Sequence, residues 1–143
     1  MDILELDFLY KIHIVSTSLM VGVIWIMQLV HYPSFSFINI DDYKTFQEFH
    51  MKRISLVVIP AMIIELTSGI LIFWFHQTDN IFFNISLFFL FLIWFLTAIL
   101  FSKMHQKLTL GYQISIVTKL VNLNWLRTIS WTLRLGLVFF AGW

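Results

Sequence analysis

Eight side chains in this sequence could do chemistry: His13, His31, His50, His76, His105, Glu65, Arg127 and Arg134. An imidazole ligates metals and moves protons near neutral pH. A guanidinium holds a carboxylate or phosphate through paired hydrogen bonds. A carboxylate inside an apolar run must be paired, neutral or functional. What is missing narrows the field as much. There is no cysteine, which removes disulfides, thiolate metal sites and cysteine nucleophiles. There is no glycine-rich phosphate loop, no HExxH, no legible Ser–His–Asp order and no paired-carboxylate site. A lone Glu65 is poor support for hydrolysis.

Membrane helices must position these groups. The chain is 59% hydrophobic and 12% charged, against about 25% charged for an ordinary soluble domain, so the bilayer is its expected solvent. Its 143 residues allow a single membrane domain, 1–143. A membrane helix takes about 20 predominantly apolar residues, and four such stretches are legible, at about 12–30, 54–75, 81–102 and 122–143. The expected fold is therefore all-α, a four-transmembrane-helix bundle. Pro33 suits a helix end or kink at His31-Tyr32-Pro33. The polar connections are about 31–53, 76–80 and 103–119. The last is partly apolar and reads as an extension of the third helix or a short interfacial helix. The brief second connection predicts that helices two and three are antiparallel neighbours. The acidic start MDILELDFLYK lacks the basic region of a signal peptide, so the first apolar segment is expected to stay in the mature protein.

Charge sets the direction. The first and third connections carry Lys44, Lys52, Arg53, Lys103, Lys107 and Lys119, whereas the other ends carry only Lys11. Basic residues favour the cytoplasmic side, which predicts a multi-pass protein of the cell membrane, in bacteria the inner membrane, with N- and C-termini non-cytoplasmic. The net charge of +1 gives no reason to expect nucleic acid. The lipid bilayer is the expected partner, together with a homo-oligomer or a larger membrane complex.

The helices differ in content. In helix one, His13, Thr17, Met20, Ile24, Met27 or Gln28, and His31 fall on one stripe at 3.6 residues per turn. His13 and His31 share a face roughly 27 Å apart along the axis. A partly polar stripe should face the bundle interior, as a packing face or with His13 holding a cofactor. Glu65 lies near the centre of helix two. In helix four Arg127 and Arg134 share a face with Asn124 and Trp131. Glu65 and Arg134 fall at the same depth, so a structural ion pair between them is expected, with Arg127 nearer the end and able to snorkel. Either arginine could alternatively hold a propionate, a lipid phosphate or a substrate carboxylate. Helix three, with phenylalanine on every side, reads as structural. The histidines suggest an outer set, His13 with His76, and an inner set, His31 with His50 and His105. Paired histidines in a four-helix bundle are a common way to hold haem. The plain reading of His76 and His105 is solvated helix ends.

Several short motifs carry a resemblance. Lys11-Ile12-His13, Trp25, His31-Tyr32-Pro33, Lys52-Arg53, Pro60-Ala61-Met62 and Gly69, with Asn124, Arg127 and Thr128 more loosely, resemble HemJ-type protoporphyrinogen oxidases and the wider copper-resistance D-like membrane proteins. The resemblance implies a small multi-helix membrane protein binding haem b, with His13 as the iron ligand, and an oxidoreductase acting on protoporphyrinogen IX. The chain departs from that pattern in helix three, which has no lysine or histidine; Lys103 and His105 follow it. Gln28 stands near the place of an expected arginine. The resemblance thus speaks for fold and haem binding more than for the oxidase reaction. Two other readings stand beside a haem-binding redox protein. One is a non-catalytic accessory or structural subunit of a larger complex. The other is a carrier working through Glu65–Arg134, for which no inverted repeat is visible.

Overall fold

Residues 3–76 and 79–142 are described by a computed structural model, and every described element is helical. Helix α1 (Ile3–Ile26) runs on through a π-helical turn (Met27–His31) into the short α2 (Tyr32–Ser34) and a 3-10 turn (Phe35–Phe37). Helix α3 (Ile40–His76) is unbroken over 37 residues, roughly 55 Å. Helix α4 (Ile81–Leu96) continues through a second π turn (Thr97–Phe101) into α5 (Ser102–Leu108), and α6 (Ile114–Ala141) completes the chain. The sequence boundaries are corrected accordingly. Most of the polar connection 31–53 is helix, because Asp41 and Asp42 open α3 and good helix formers carry it into the apolar run. The third helix does extend past its apolar stretch, to Leu108.

Local chemistry fixes the ends. Asn80 caps α4, its Oδ1 accepting from the N–H groups of Phe82 at 3.0 Å and Phe83 at 3.3 Å. Its amide nitrogen donates to the Ala141 carbonyl at 2.7 Å, tying the start of α4 to the end of α6. Gly142, at φ +70°, closes α6 in the left-handed conformation that suits glycine.

Three helical stretches are long and apolar enough to cross a membrane: Leu4–Phe37, Ile40–Phe75 and Ile81–Leu108. Helix α6 is long enough but is diluted by Asn122, Asn124, Arg127 and Arg134. Burial is inverted relative to a water-soluble protein. Leu4, Val30, Leu56, Phe88 and Phe140 point outward, while His13, Gln47, Glu65, Asn124, Arg127 and Arg134 are buried. Hydrocarbon solvates such a surface and water does not.

The most extensive helix packing is of α4 with α6, α1 with α3 and α1 with α6. Helices α3 and α4, expected as neighbours from their short connection, meet mainly through side chains. That meeting occurs at Gly69. A Cβ there would lie 3.0 Å from His13 Cε1 and 3.0 Å from Leu87 Cδ2. Glycine is needed because the His13 ring passes directly over the α3 backbone. Replacing it, as Gly69→Ala, should destabilise the protein by about 1–3 kcal/mol. A thermal melt in detergent equal to wild type would show that the ring can yield.

Candidate functional site

Two buried polar layers lie inside the helices, and they differ in one decisive respect. The first is midway along the bundle. Arg134, from α6, reaches all the other long helices. Its NH1 pairs with Glu65 Oε1 of α3 and donates to Thr17 Oγ1 of α1 at 2.9 Å. Its Nε donates to the Ser86 carbonyl of α4 at 3.2 Å, and its NH2 donates to His13 Nε2 of α1 at 2.8 Å. The second carboxylate oxygen of Glu65 accepts from Trp131 Nε1 at 3.3 Å. Glu65, Arg134, Thr17, Trp131 and His13 are all fully buried.

Donor rules assign the protons in this layer. A guanidinium only donates, so His13 Nε2 accepts and the ring proton sits on Nδ1. From there it is donated to Ser68 Oγ at 2.7 Å, and Ser68 passes its own proton to the Ile64 carbonyl at 2.7 Å. His13 is a neutral ring with both nitrogens engaged, packed against Phe83. It offers no lone pair to a metal in this arrangement, so it does not fit the axial-ligand role that the family resemblance implies. With one carboxylate, one guanidinium and a neutral imidazole, the layer carries no net charge.

The second layer lies at the end of the bundle away from the termini, where both π turns face the 121–127 stretch of α6. A π turn inserts an extra residue and often marks a functional site. From the first turn, Gln28 donates to the Val121 carbonyl at 3.2 Å and accepts from Asn124 Nδ2 at 2.9 Å. From the second, the Phe101 ring lies 4.3 Å from the Arg127 guanidinium carbon, with Trp131 at 5.3 Å. Next to these is a histidine cluster. His31 Nε2 and His50 Nδ1 are 2.6 Å apart, and the His50 and His105 ring centroids are 5.8 Å apart. Gln47 Nε2 donates to His105 Nδ1 at 3.1 Å, which leaves the His105 proton on Nε2, 3.3 Å from the Tyr32 hydroxyl. Phe35, Phe46 and Tyr32 wall the cluster.

This layer leaves more groups unsatisfied than the midway one, where Ser86 Oγ also lacks a partner. His50 Nε2, Gln47 Oε1, Tyr43 Oη and Arg127 Nε are buried without a hydrogen-bond partner. Native interiors rarely leave such groups unpaired, and each asks for a bound water, ion or ligand. The first three lie on one face of α3, at positions 43, 47 and 50. Among the described residues no carboxylate reaches Arg127; its polar neighbours are neutral, Asn124 Oδ1 at a long 3.4 Å and the Tyr32 hydroxyl.

Set against the sequence expectations, Glu65 and Arg134 come together with His13, and His31 joins His50 and His105. Arg127 does not snorkel but is 5% exposed, because α5 and the Phe101 turn fold over it. His105 is not a solvated end but 7% exposed, since the helix carries on past Ser102. The side chain of His76 lies outside the described residues, so its pairing with His13 stays an expectation. Helix three of the sequence, α4 with its π turn, does more than pack: its Ser86 carbonyl serves Arg134 and its π turn places Phe101. No family model, curated protein or solved structure matches the chain.

The midway layer is a lock, and its removal is measurable. Glu65→Ala should cost about 3–5 kcal/mol by stranding a buried guanidinium, seen as a lower melting temperature in detergent. Adding Arg134→Leu should recover part of that loss. A single Glu65→Ala variant as stable as wild type would refute the pairing.

Proposed function

We propose that this is a four-span integral membrane protein, α6 included, with both termini non-cytoplasmic, that binds haem b and serves redox chemistry. The ligand-holding site in this reading is the histidine layer near the cytoplasmic end rather than His13. The observation that carries it is the His50 Nε2 atom, a buried imidazole nitrogen without a partner, on a ring whose other nitrogen is fixed by His31. A metal-binding histidine characteristically has its second nitrogen held in this way. Among the described residues no three metal-ligating side chains converge as a set for an ion. A single lone pair suits a metal whose remaining ligands come from a macrocycle. The proton between His31 and His50 decides the matter locally: on His50 Nδ1 it leaves Nε2 as a ligand, on His31 it leaves Nε2 as a donor. When bound, haem would supply one-electron chemistry. The chain itself would orient His50 through His31 and keep water out with Phe35, Phe46 and Tyr32.

The alternative is a non-catalytic subunit of a larger membrane complex. What favours it is the groove of about 560 Å³ between α1 and α3, lined by Phe8, Val15, Leu19, Val57, Pro60 and Ile64, whose apolar walls suit a lipid chain or a partner helix.

Protein expressed with ample haem and purified in detergent should show a Soret band. His50→Ala should lose it, and a folded His13→Gln variant should keep it. Colourless protein would overturn the haem reading, and loss in His13→Gln alone would return the iron to His13. Reporter fusions at either terminus should be active only outside the cytoplasm; activity inside would reverse the orientation.

A further inference from the structure

We infer that the far-end layer holds an oxyanion, a carboxylate or a phosphate, on Arg127. The inference does not depend on haem. It rests on the contrast between two arginines of one helix, seven residues apart. Arg134 shows how this chain buries a guanidinium when the role is internal: one carboxylate from Glu65, a hydroxyl from Thr17, a carbonyl from Ser86 and an imidazole from His13. Arg127 is buried almost as deeply yet has only neutral neighbours, the edge of Asn124, the Tyr32 hydroxyl and two aromatic faces, with its Nε unpartnered. Water can fill the hydrogen-bonding vacancy of that Nε, but water cannot neutralise the charge. An anion does both, and the planar guanidinium fork matches two oxygens of a carboxylate or phosphate.

The surroundings agree. Phe101 and Trp131 hold the guanidinium plane without consuming its N–H groups. The outer surface of this end carries six basic residues, Lys44, Lys52, Arg53, Lys103, Lys107 and Lys119, against three acidic ones, Asp41, Asp42 and Glu48. A surface of that sign draws anions toward this end of the bundle. Among the described residues the opposite end carries three acidic residues, Glu5, Asp7 and Asp79, against Lys11 alone, and repels them.

One oxyanion chemistry has three sources here: a free small anion, a lipid headgroup, or a propionate of bound haem. The test is the melting temperature of the full chain in neutral detergent, haem-free and delipidated. Sodium acetate or inorganic phosphate is titrated at constant ionic strength against chloride. Phosphatidylglycerol and haem follow, the latter compared with its dimethyl ester. A saturable rise of several degrees with acetate or phosphate identifies a free anion. A rise only with phosphatidylglycerol identifies the lipid, and a rise with haem that the ester fails to give identifies the propionate. In each case Arg127→Gln should abolish the rise and melt no lower than wild type without ligand, whereas Arg127→Lys should keep a weakened one. His50→Ala should retain the response to acetate or phosphate, so failure of the haem reading stays distinguishable from failure of this one. No response to any probe, or an equal response in Arg127→Gln, overturns the proposal.

Discussion

The structure depends on one guanidinium. Arg134 sits at the centre of an assembly whose outer surface is hydrocarbon-like, and it cannot keep its charge there without a carboxylate. Glu65 supplies it, and the remaining hydrogen bonds go to α1, α4 and, through Trp131, back to α6. Apolar faces give little direction when the solvent is itself apolar, so packing alone would leave the helices free to slide and rotate. The bonds of Arg134 fix the depth and rotation of all four long helices at once. Gly69 belongs to the same constraint, because its missing side chain gives the His13 ring its place beside the α3 backbone.

That closure also limits what the midway layer can do. His13 is held as one tautomer by a donor on one side and an acceptor on the other, and every partner is protein. To take a ligand, the ring would have to give up Arg134, which would leave the buried guanidinium short of a partner. The far-end layer has no such closure. Two of its three histidines bond each other, its α3 face ends in unpartnered atoms, and its cation has no carboxylate. Both interruptions of regular helix, the π turns at Met27–His31 and Thr97–Phe101, border this layer and not the midway one. Irregular backbone is tolerated where it shapes a site.

Much of this was legible in the sequence, and the parts that were not share a cause. Hydropathy located the apolar runs, and 3.6-residue spacing put His13, Thr17, Met20, Ile24 and Gln28 on one interior stripe. Glu65 and Arg134 stand at matching depths, which is enough to bring them together. Hydropathy failed where helix outlasts apolarity. Gln47, His50 and His105 sit beyond the apolar runs, and His105 reads as a solvated helix end, yet α3 and α5 continue and bury all three. The π turns leave no mark in residue type, so the placement of Phe101 over Arg127 was out of reach. So was the service of Ser86, since a backbone carbonyl has no signature in composition.

The two arginines show why burial alone is a poor guide to role in a membrane protein. Arg127 and Arg134 are both hidden and lie on one face of one helix, with Trp131 between them, its ring under Arg127 and its N–H on the carboxylate that pairs with Arg134. Residue type and spacing cannot separate them, and depth says only which of them meets Glu65. What separates them is whether the protein completes their hydrogen bonds and their charge. A completed cation is spent on the fold and resists change, because any ligand must displace an existing partner. An incomplete one is a standing cost to the folded state, and a ligand that relieves it gains that free energy as affinity. By that criterion the interior divides in two: the layer around Arg134 holds the helices in register, and the layer around Arg127 and His50 is where a second molecule has something to gain.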